Sequence, residues 1–150
     1  MQVKMQFGVC TGIENAGIAR SAGFTFIEPT VRSLHGGKDF SGIQAAHAAA
    51  GLPTPSFNVF VPGELKITGP AADLAKLQAY VAESLGRVKS VGGELVVFGS
   101  GGARNIPDGF SRDAAWQQLI DFLQMVAVEC DKTGVSIAIE PLNRKESNVI

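Results

Sequence analysis

Two glutamates close apolar runs and stand directly before a proline, Glu28 ahead of Pro29 and Glu140 ahead of Pro141. A carboxylate at the end of a buried run is costly to desolvate unless a cation, an arginine or a proton compensates it. Glu140 follows Ile137-Ala138-Ile139, and its proline removes a donor and turns the chain out of any sheet. So deep and rigid a placement suits a metal ligand or a general base, the competing role being an ion pair with a neighbouring Arg or Lys. For Glu28, hydrogen bonding to the following loop or to a neighbouring strand-end donor is favoured over chemistry.

The run Gly99-Ser100-Gly101-Gly102-Ala103-Arg104 follows another apolar stretch, so a phosphate cradle must be considered. No Gly-Lys-Ser/Thr follows it, and Arg104 stands where a dinucleotide fingerprint needs its third glycine. The glycines instead let backbone approach a small ligand, with Arg104 either offered to an anionic or hydroxylated group or solvated on a loop. His35 and His47 do not form a metal pair: the first falls in a loop beside Gly36-Gly37, the second in an alanine-rich helix with a surface or packing role. Cys10 has no sequence-local base and reads as a packed thiol, and Trp116 as core.

Five short runs would carry these groups as buried strands: Gln6–Cys10, Thr25–Pro29, Ser56–Val61, Glu94–Phe98 and Val135–Glu140. Their carboxyl ends hold Cys10, Glu28, Asn58, Gly99 to Arg104, and Glu140. Between them the chain reads as helix. Thr11 with Glu14 and Ser41 with Gln44 have capping-box spacing, while Gly23 and Gly51 can stop those helices. Pro70 and Asp73 suit the first turn of a third helix striped by Leu74, Leu77, Val81, Leu85 and Val88. Ser111 can cap a fourth, striped by Trp116, Leu119, Ile120, Leu123, Ala127 and Cys130 and stopped by Gly134.

Composition agrees with one α/β domain. Of 150 residues 45% are hydrophobic and 18% charged, enough apolar content for a core and too little charge for a disordered chain. The net charge of -1 gives no electrostatic footprint for nucleic acid or anionic lipid, so neither is an expected partner. Two cysteines are too few for a disulfide framework and suit a reducing, cytoplasmic setting. No run has the length of a membrane-spanning helix, and Met1 to Gln6 is too short for a signal segment.

Alternating strand and helix argue for parallel strands with right-handed crossovers. The length favours an open doubly wound sheet. A (β/α)8 TIM barrel usually needs about 250 residues, of which this chain would be the N-terminal part, strands one to five and helices one to four. The polar run Asn143 to Asn148 favours the barrel, because an open sheet normally ends with a helix over its last strand.

The segment Ile139-Glu140-Pro141-Leu142-Asn143-Arg144-Lys145-Glu146-Ser147-Asn148 resembles the fifth-strand motif of the xylose isomerase-like TIM barrels. These are the sugar isomerases and epimerases related to tagatose/psicose 3-epimerases and hydroxypyruvate isomerase. Phe98-Gly99-Ser100-Gly101 with Arg104, Pro107-Asp108-Gly109, and Phe7-Gly8-Val9 look like the same group. The resemblance implies that Glu140 ligates a divalent metal (Mn, Mg or Co) and serves as an acid/base, and that Glu146 binds a substrate hydroxyl. Asn58 and Arg104 join it as candidate substrate-binding residues. The remaining metal ligands of the family come from strands six to eight. Endonuclease IV shares the fold but places histidines after early strands, where Asn58 and Gly99 stand here.

The resemblance implies an isomerase or epimerase of a keto sugar or sugar phosphate. A hard cation would hold two neighbouring oxygens while a carboxylate moves a carbon-bound proton through an enediolate. As a half barrel, the chain is expected to be inactive alone and to leave strands one and five as apolar edges that invite a homo-oligomer or a complementary half. The alternatives are a non-catalytic ligand-binding or assembly module and, further off, an open-sheet nucleotide binder built on the Gly99 loop.

Overall fold

Each of the five apolar runs yields a strand, and each strand is shorter than its run. The computed structural model describes residues 5–37 and 39–149, so of Met1 to Gln6 only Met5 and Gln6 fall within it. The strands are β1 (Gly8–Val9), β2 (Phe26–Ile27), β3 (Ser56–Phe57), β4 (Leu95–Phe98) and β5 (Ser136–Ile139). The largest shortfall is at β3, where Val59 takes a left-handed backbone (φ 50) that ends the extended run before Val61.

The pairing decides between the two architectures. β1 pairs with β2, β3 with β4 and β4 with β5, all parallel. A parallel bridge between Thr30 and Asn58 joins β2 to β3, supported by Asn58 N–H donating to the Pro29 carbonyl at 3.0 Å. The strand order is therefore sequential, 1-2-3-4-5. A doubly wound sheet reverses direction at a switch point and lays helices on both faces. Sequential right-handed crossovers put every helix on one face and leave the other to curl on itself, as in a barrel. The open-sheet nucleotide reading fails on this point. Among the described residues the sheet edges are β1 and β5, as expected of the first five strands of a barrel.

In-register parallel partners share a face. Phe57 and Val96 are buried on the helix side, and Ile27 is buried with Val9 beside it. The opposite, inward side carries Gly8, Phe26, Ser56, Leu95, Val97 and Ala138, and one step further the strand-end groups Cys10, Glu28, Asn58 and Glu140. Ile139, in register with buried Phe98, is 50% exposed because no helix covers β5 on its outer side among the described residues.

Five α-helices and two short 3-10 turns make the outer layer: α1 (Ala16–Ser21), α2 (Phe40–Ala49), α3 (Leu74–Ser90), α4 (Gly101–Arg104) and α5 (Arg112–Thr133), with turns at Ile13–Asn15 and Val31–His35. Ser111 caps α5 as expected, whereas α3 starts later than expected, with Asp73 as its cap rather than in its first turn and Pro70 outside the helix. Asp73 accepts from Lys76 N–H at 3.1 Å and Ser111 from Ala114 N–H at 3.3 Å, each satisfying an orphan donor of a first turn. The two capping boxes do not form. Thr11 instead accepts from the Asn15 side chain, and Ser41 donates to the Asp39 carboxylate, with Asp39 at the N-cap position of α2.

The α3 stripe buries Leu77, Val81, Leu85 and Val88 but leaves Leu74 outside. On α5 the buried face is Ala115, Leu119, Phe122 and Val126, rotated from the expected stripe so that Ile120 and Ala127 meet solvent. The helix carries two overlapping apolar rows, and the one containing Phe122 wins because that ring packs against Phe60 and Phe98. Trp116 is half-buried against the same core.

The main core spans β3, β4, α3 and α5, while Ala16, Ala19 and Ile27 form a separate small cluster under α1. Gly86 lies inside α3 with open space where a side chain would sit. Gly86→Ala is expected to raise stability by about 0.5–1 kcal/mol, read as a higher urea midpoint, because alanine loses less backbone entropy in a helix.

Candidate active site

The inward strand ends meet in one cavity of about 600 Å³, whose wall includes Cys10, Glu28, Asn58, Gly99, Glu140 and Glu146. Three of the four expected site residues, Glu140, Glu146 and Asn58, are thus brought together. Glu140 is exposed at the end of β5, and its backbone N–H donates to the Phe98 carbonyl at 3.2 Å, extending the β4–β5 ladder to the mouth. The glycine beside it in space explains part of the Gly-rich run. A Cβ on Gly99 would lie 2.3 Å from Glu140 Oε2, so this position cannot carry a side chain without moving the carboxylate.

Glu146 is positioned by its own motif. Its carboxylate accepts from Asn143 Nδ2 at 2.6 Å, and its N–H donates to the Asn143 carbonyl at 3.0 Å. Asn143 Oδ1 accepts from Lys145 N–H at 2.9 Å, a local turn in which the asparagine side chain replaces backbone partners. The segment is then stitched to the loop after β4. Ser147 Oγ donates to Asn105 Oδ1 at 2.8 Å, and Asn148 exchanges hydrogen bonds with both backbone groups of Ile106 at 2.9 and 2.8 Å. A Cβ on Gly101 would stand 2.6 Å from the Glu146 carbonyl oxygen, so α4 and this loop touch backbone to backbone.

Arg104 departs from both roles expected of it. In place of the loop that its glycines suggest, the run forms α4, whose last residue turns inward. Arg104 is 0% exposed and is not part of the cavity wall. Its guanidinium donates to the Glu140 carbonyl at 2.7 Å and to the Phe98 carbonyl at 3.4 Å, and lies over the Phe98 ring at 5.4 Å. Burial pushes its pKa below the usual arginine value, with the nearby Glu140 charge acting the other way. The arginine therefore clamps the ends of β4 and β5 through backbone rather than facing a substrate. Nothing in its sequence context distinguishes an inward from an outward arginine.

Glu28 accepts from Ser56 Oγ at 2.5 Å, from Asn58 Nδ2 at 3.3 Å and from Cys10 Sγ at 3.4 Å. These are the neighbouring strand-end donors expected of it, yet the carboxylate also lines the cavity. Cys10 is exposed rather than packed. Partial burial, then the Glu28 charge and hydrogen bond, push its thiol above the usual value, so it acts as a donor and not as a thiolate nucleophile. Ser56 is a site residue that the sequence reading misses. Its signal is the alternation with Phe57, which turns a hydroxyl to the inner face.

Two non-glycine residues with positive φ flank this cavity, Val59 (φ 50) and Ser100 (φ 43), at consecutive strand-to-loop junctions. A β-branched residue there is strained, at a cost on the order of 1–3 kcal/mol. Ser100 Oγ accepts from Val61 N–H at 2.9 Å and links the two junctions.

Both histidines pack away from the mouth. His35 bonds Ser84 Oγ at 2.9 Å and stacks on Tyr80, and His47 bonds Thr54 Oγ1 at 3.2 Å. Burial lowers the pKa of each below the ordinary value, against a weaker upward pull from Glu83 on His35. An unfolded chain with ordinary imidazoles near pH 6.5 binds these protons first, so stability is full above that pH and falls below it. The urea midpoint is expected to drop between pH 7.5 and 5.5, and the drop to shrink in a His35→Gln, His47→Gln double variant.

Parallel strands in sequential order, with a cavity at their carboxyl ends that gathers Glu28, Glu140 and Glu146, define a (β/α) barrel protein represented here by its first five strands. Residues 16–150 match the family described as xylose isomerase-like TIM barrel, and the chain belongs to that family. A sequence search of curated proteins finds no match. Among solved structures the chain is similar to 3-keto-D-glucoside 4-epimerase YcjR from E. coli (20% identity, 94% of this chain, TM-score 0.73). It is similar to D-psicose 3-epimerase from Clostridium cellulolyticum H10, solved with D-tagatose (18%, 97%, 0.78). A sugar phosphate isomerase/epimerase from Parabacteroides distasonis is a third (14%, 93%, 0.62). The chain spans 57%, 55% and 52% of those three chains, and the likeness is one of fold.

The divalent metal that the family resemblance implies does not find a ligand set in these residues. Among the described residues no three His, Cys, Asp or Glu side chains converge as a cation site. Glu140 offers one carboxylate, while Glu28 and Glu146 already accept from Ser56, Asn58, Cys10 and Asn143. Among the described residues no helix is long and apolar enough to cross a membrane.

Proposed function

We propose that these residues form the N-terminal half of a sugar isomerase or epimerase active site, acting on a keto sugar or sugar phosphate by proton transfer next to the carbonyl. The observation that carries the reading is the meeting of Glu140, Glu146 and Asn58 on one cavity at the carboxyl ends of the strands. Glu140 is the base: fixed at a strand end and open to the cavity, it takes the proton from the carbon beside the carbonyl and leaves an enediolate. Glu146, oriented by Asn143, receives a substrate hydroxyl, and Asn58 lines the same wall. A metal-dependent version of this chemistry needs ligands beyond those described here, and Glu140 is the carboxylate that these residues would offer it. The open edges of β1 and β5 are where the remaining strands, from the same polypeptide or a second chain, would pair.

The test is solvent exchange. Ketohexoses and their phosphates, incubated in deuterium oxide with the full polypeptide to which these residues belong, should gain deuterium at the carbon next to the carbonyl, followed by proton NMR. Absence of exchange together with absence of binding overturns the reading. Binding without exchange selects the non-catalytic sugar-binding module instead.

A further inference from the structure

We infer that Glu28 is a substrate-binding carboxylate that accepts a sugar hydroxyl at the far side of the cavity from Glu140; this rests on the proposed sugar chemistry. Donors from both neighbouring strands fix its orientation: Cys10 from β1, and Ser56 and Asn58 at β3. A carboxylate has about four acceptor positions, so three donors leave it with capacity, and its side chain lines the cavity. Held so rigidly, it can meet an incoming hydroxyl without losing rotamer freedom on binding. It also lines an adjoining cavity of about 370 Å³ whose wall carries the hydroxyl residues Thr11, Thr30 and Ser33, a surface suited to a polyhydroxylated ligand.

Spacing agrees with a small sugar reaching both carboxylates. Glu28 and Glu140 end strands three apart, roughly 14 Å along the sheet at about 4.8 Å per strand, and less across its concave side. An open-chain ketohexose whose carbon beside the carbonyl faces Glu140 extends its remaining hydroxyls across the cavity toward Glu28. The Cys10 thiol lines the same cavity as both glutamates.

The experiment measures equilibrium binding of a ketohexose and its monodeoxy analogues to the full polypeptide and to its Glu28→Gln variant. One analogue should bind about 10- to 100-fold more weakly than the parent sugar to the unaltered protein, the range of a hydrogen bond to a charged group. That penalty should vanish in Glu28→Gln while the penalties for the other analogues persist. A purely structural Glu28 would shift all analogues equally, and that outcome overturns the inference alone. If the unaltered protein binds no ketose, the sugar reading fails and takes the inference with it. If Glu28→Gln does not fold, judged by circular dichroism, Glu28→Asp provides the same comparison: it keeps the charge but withdraws the carboxylate by one methylene.

Discussion

An Arg104→Ala chain is expected to unfold at a markedly lower urea concentration, with a loss of about 3 kcal/mol. The guanidinium is wholly buried and donates to the carbonyls that end β4 and β5. Removing it takes the donor from the Glu140 carbonyl, at about 1–3 kcal/mol for a buried polar group, while the Phe98 carbonyl keeps only the Glu140 N–H. It also strips the packing from one side of Phe98. Arg104→Lys should recover only part of the loss, because an ammonium cannot reproduce the two-pronged geometry of the fork. Arg32, exposed and paired with exposed Glu64 at 3.4 Å, is the internal control. Its alanine variant should move the midpoint little, as surface pairs contribute about 0–1 kcal/mol. An Arg104→Ala midpoint within error of the unaltered chain would remove the clamp from the account.

For Glu140→Gln in the full polypeptide, the turnover number should fall on the order of 10²–10⁴-fold with the fold intact, the usual contribution of a positioned acid/base group. That corresponds to about 3–5 kcal/mol of barrier. Glutamine matches glutamate in size and the side chain is exposed, so circular dichroism and the thermal midpoint should hold. Glu146→Gln should act differently, raising KM more than it lowers kcat, because that residue is assigned to holding a hydroxyl rather than moving a proton. Unchanged turnover in Glu140→Gln would reject the base.

Much of the fold is legible in the residue order. The five strand runs, the cap at Ser111 and the strand-end glutamates all lie where local pattern puts them, because burial alternation and cap chemistry are local properties. The misses share a different origin. Arg104 reads as outward in sequence because its inward turn depends on two carbonyls, one of them 36 residues away. The α5 stripe reads one row off because two apolar rows overlap and only Phe60 and Phe98 choose between them. Cys10 reads as packed because its partner, Glu28, lies on the next strand. Strand order, too, is a long-range fact. The motif after β5 is the exception, since Asn143 builds its turn within four residues.

The seam between β2 and β3 is held by the Thr30–Asn58 bridge and the backbone bonds around it, while the small cluster under α1 stands apart from the main core. With so little apolar packing beneath it, α1 and the two strands it joins should carry the earliest amides to trade hydrogen for deuterium. Glu28 and Asn58 meet across that seam inside the cavity. Any molecule that settles there staples the loose portion to the firm one, so occupancy itself would tighten the N-terminal third.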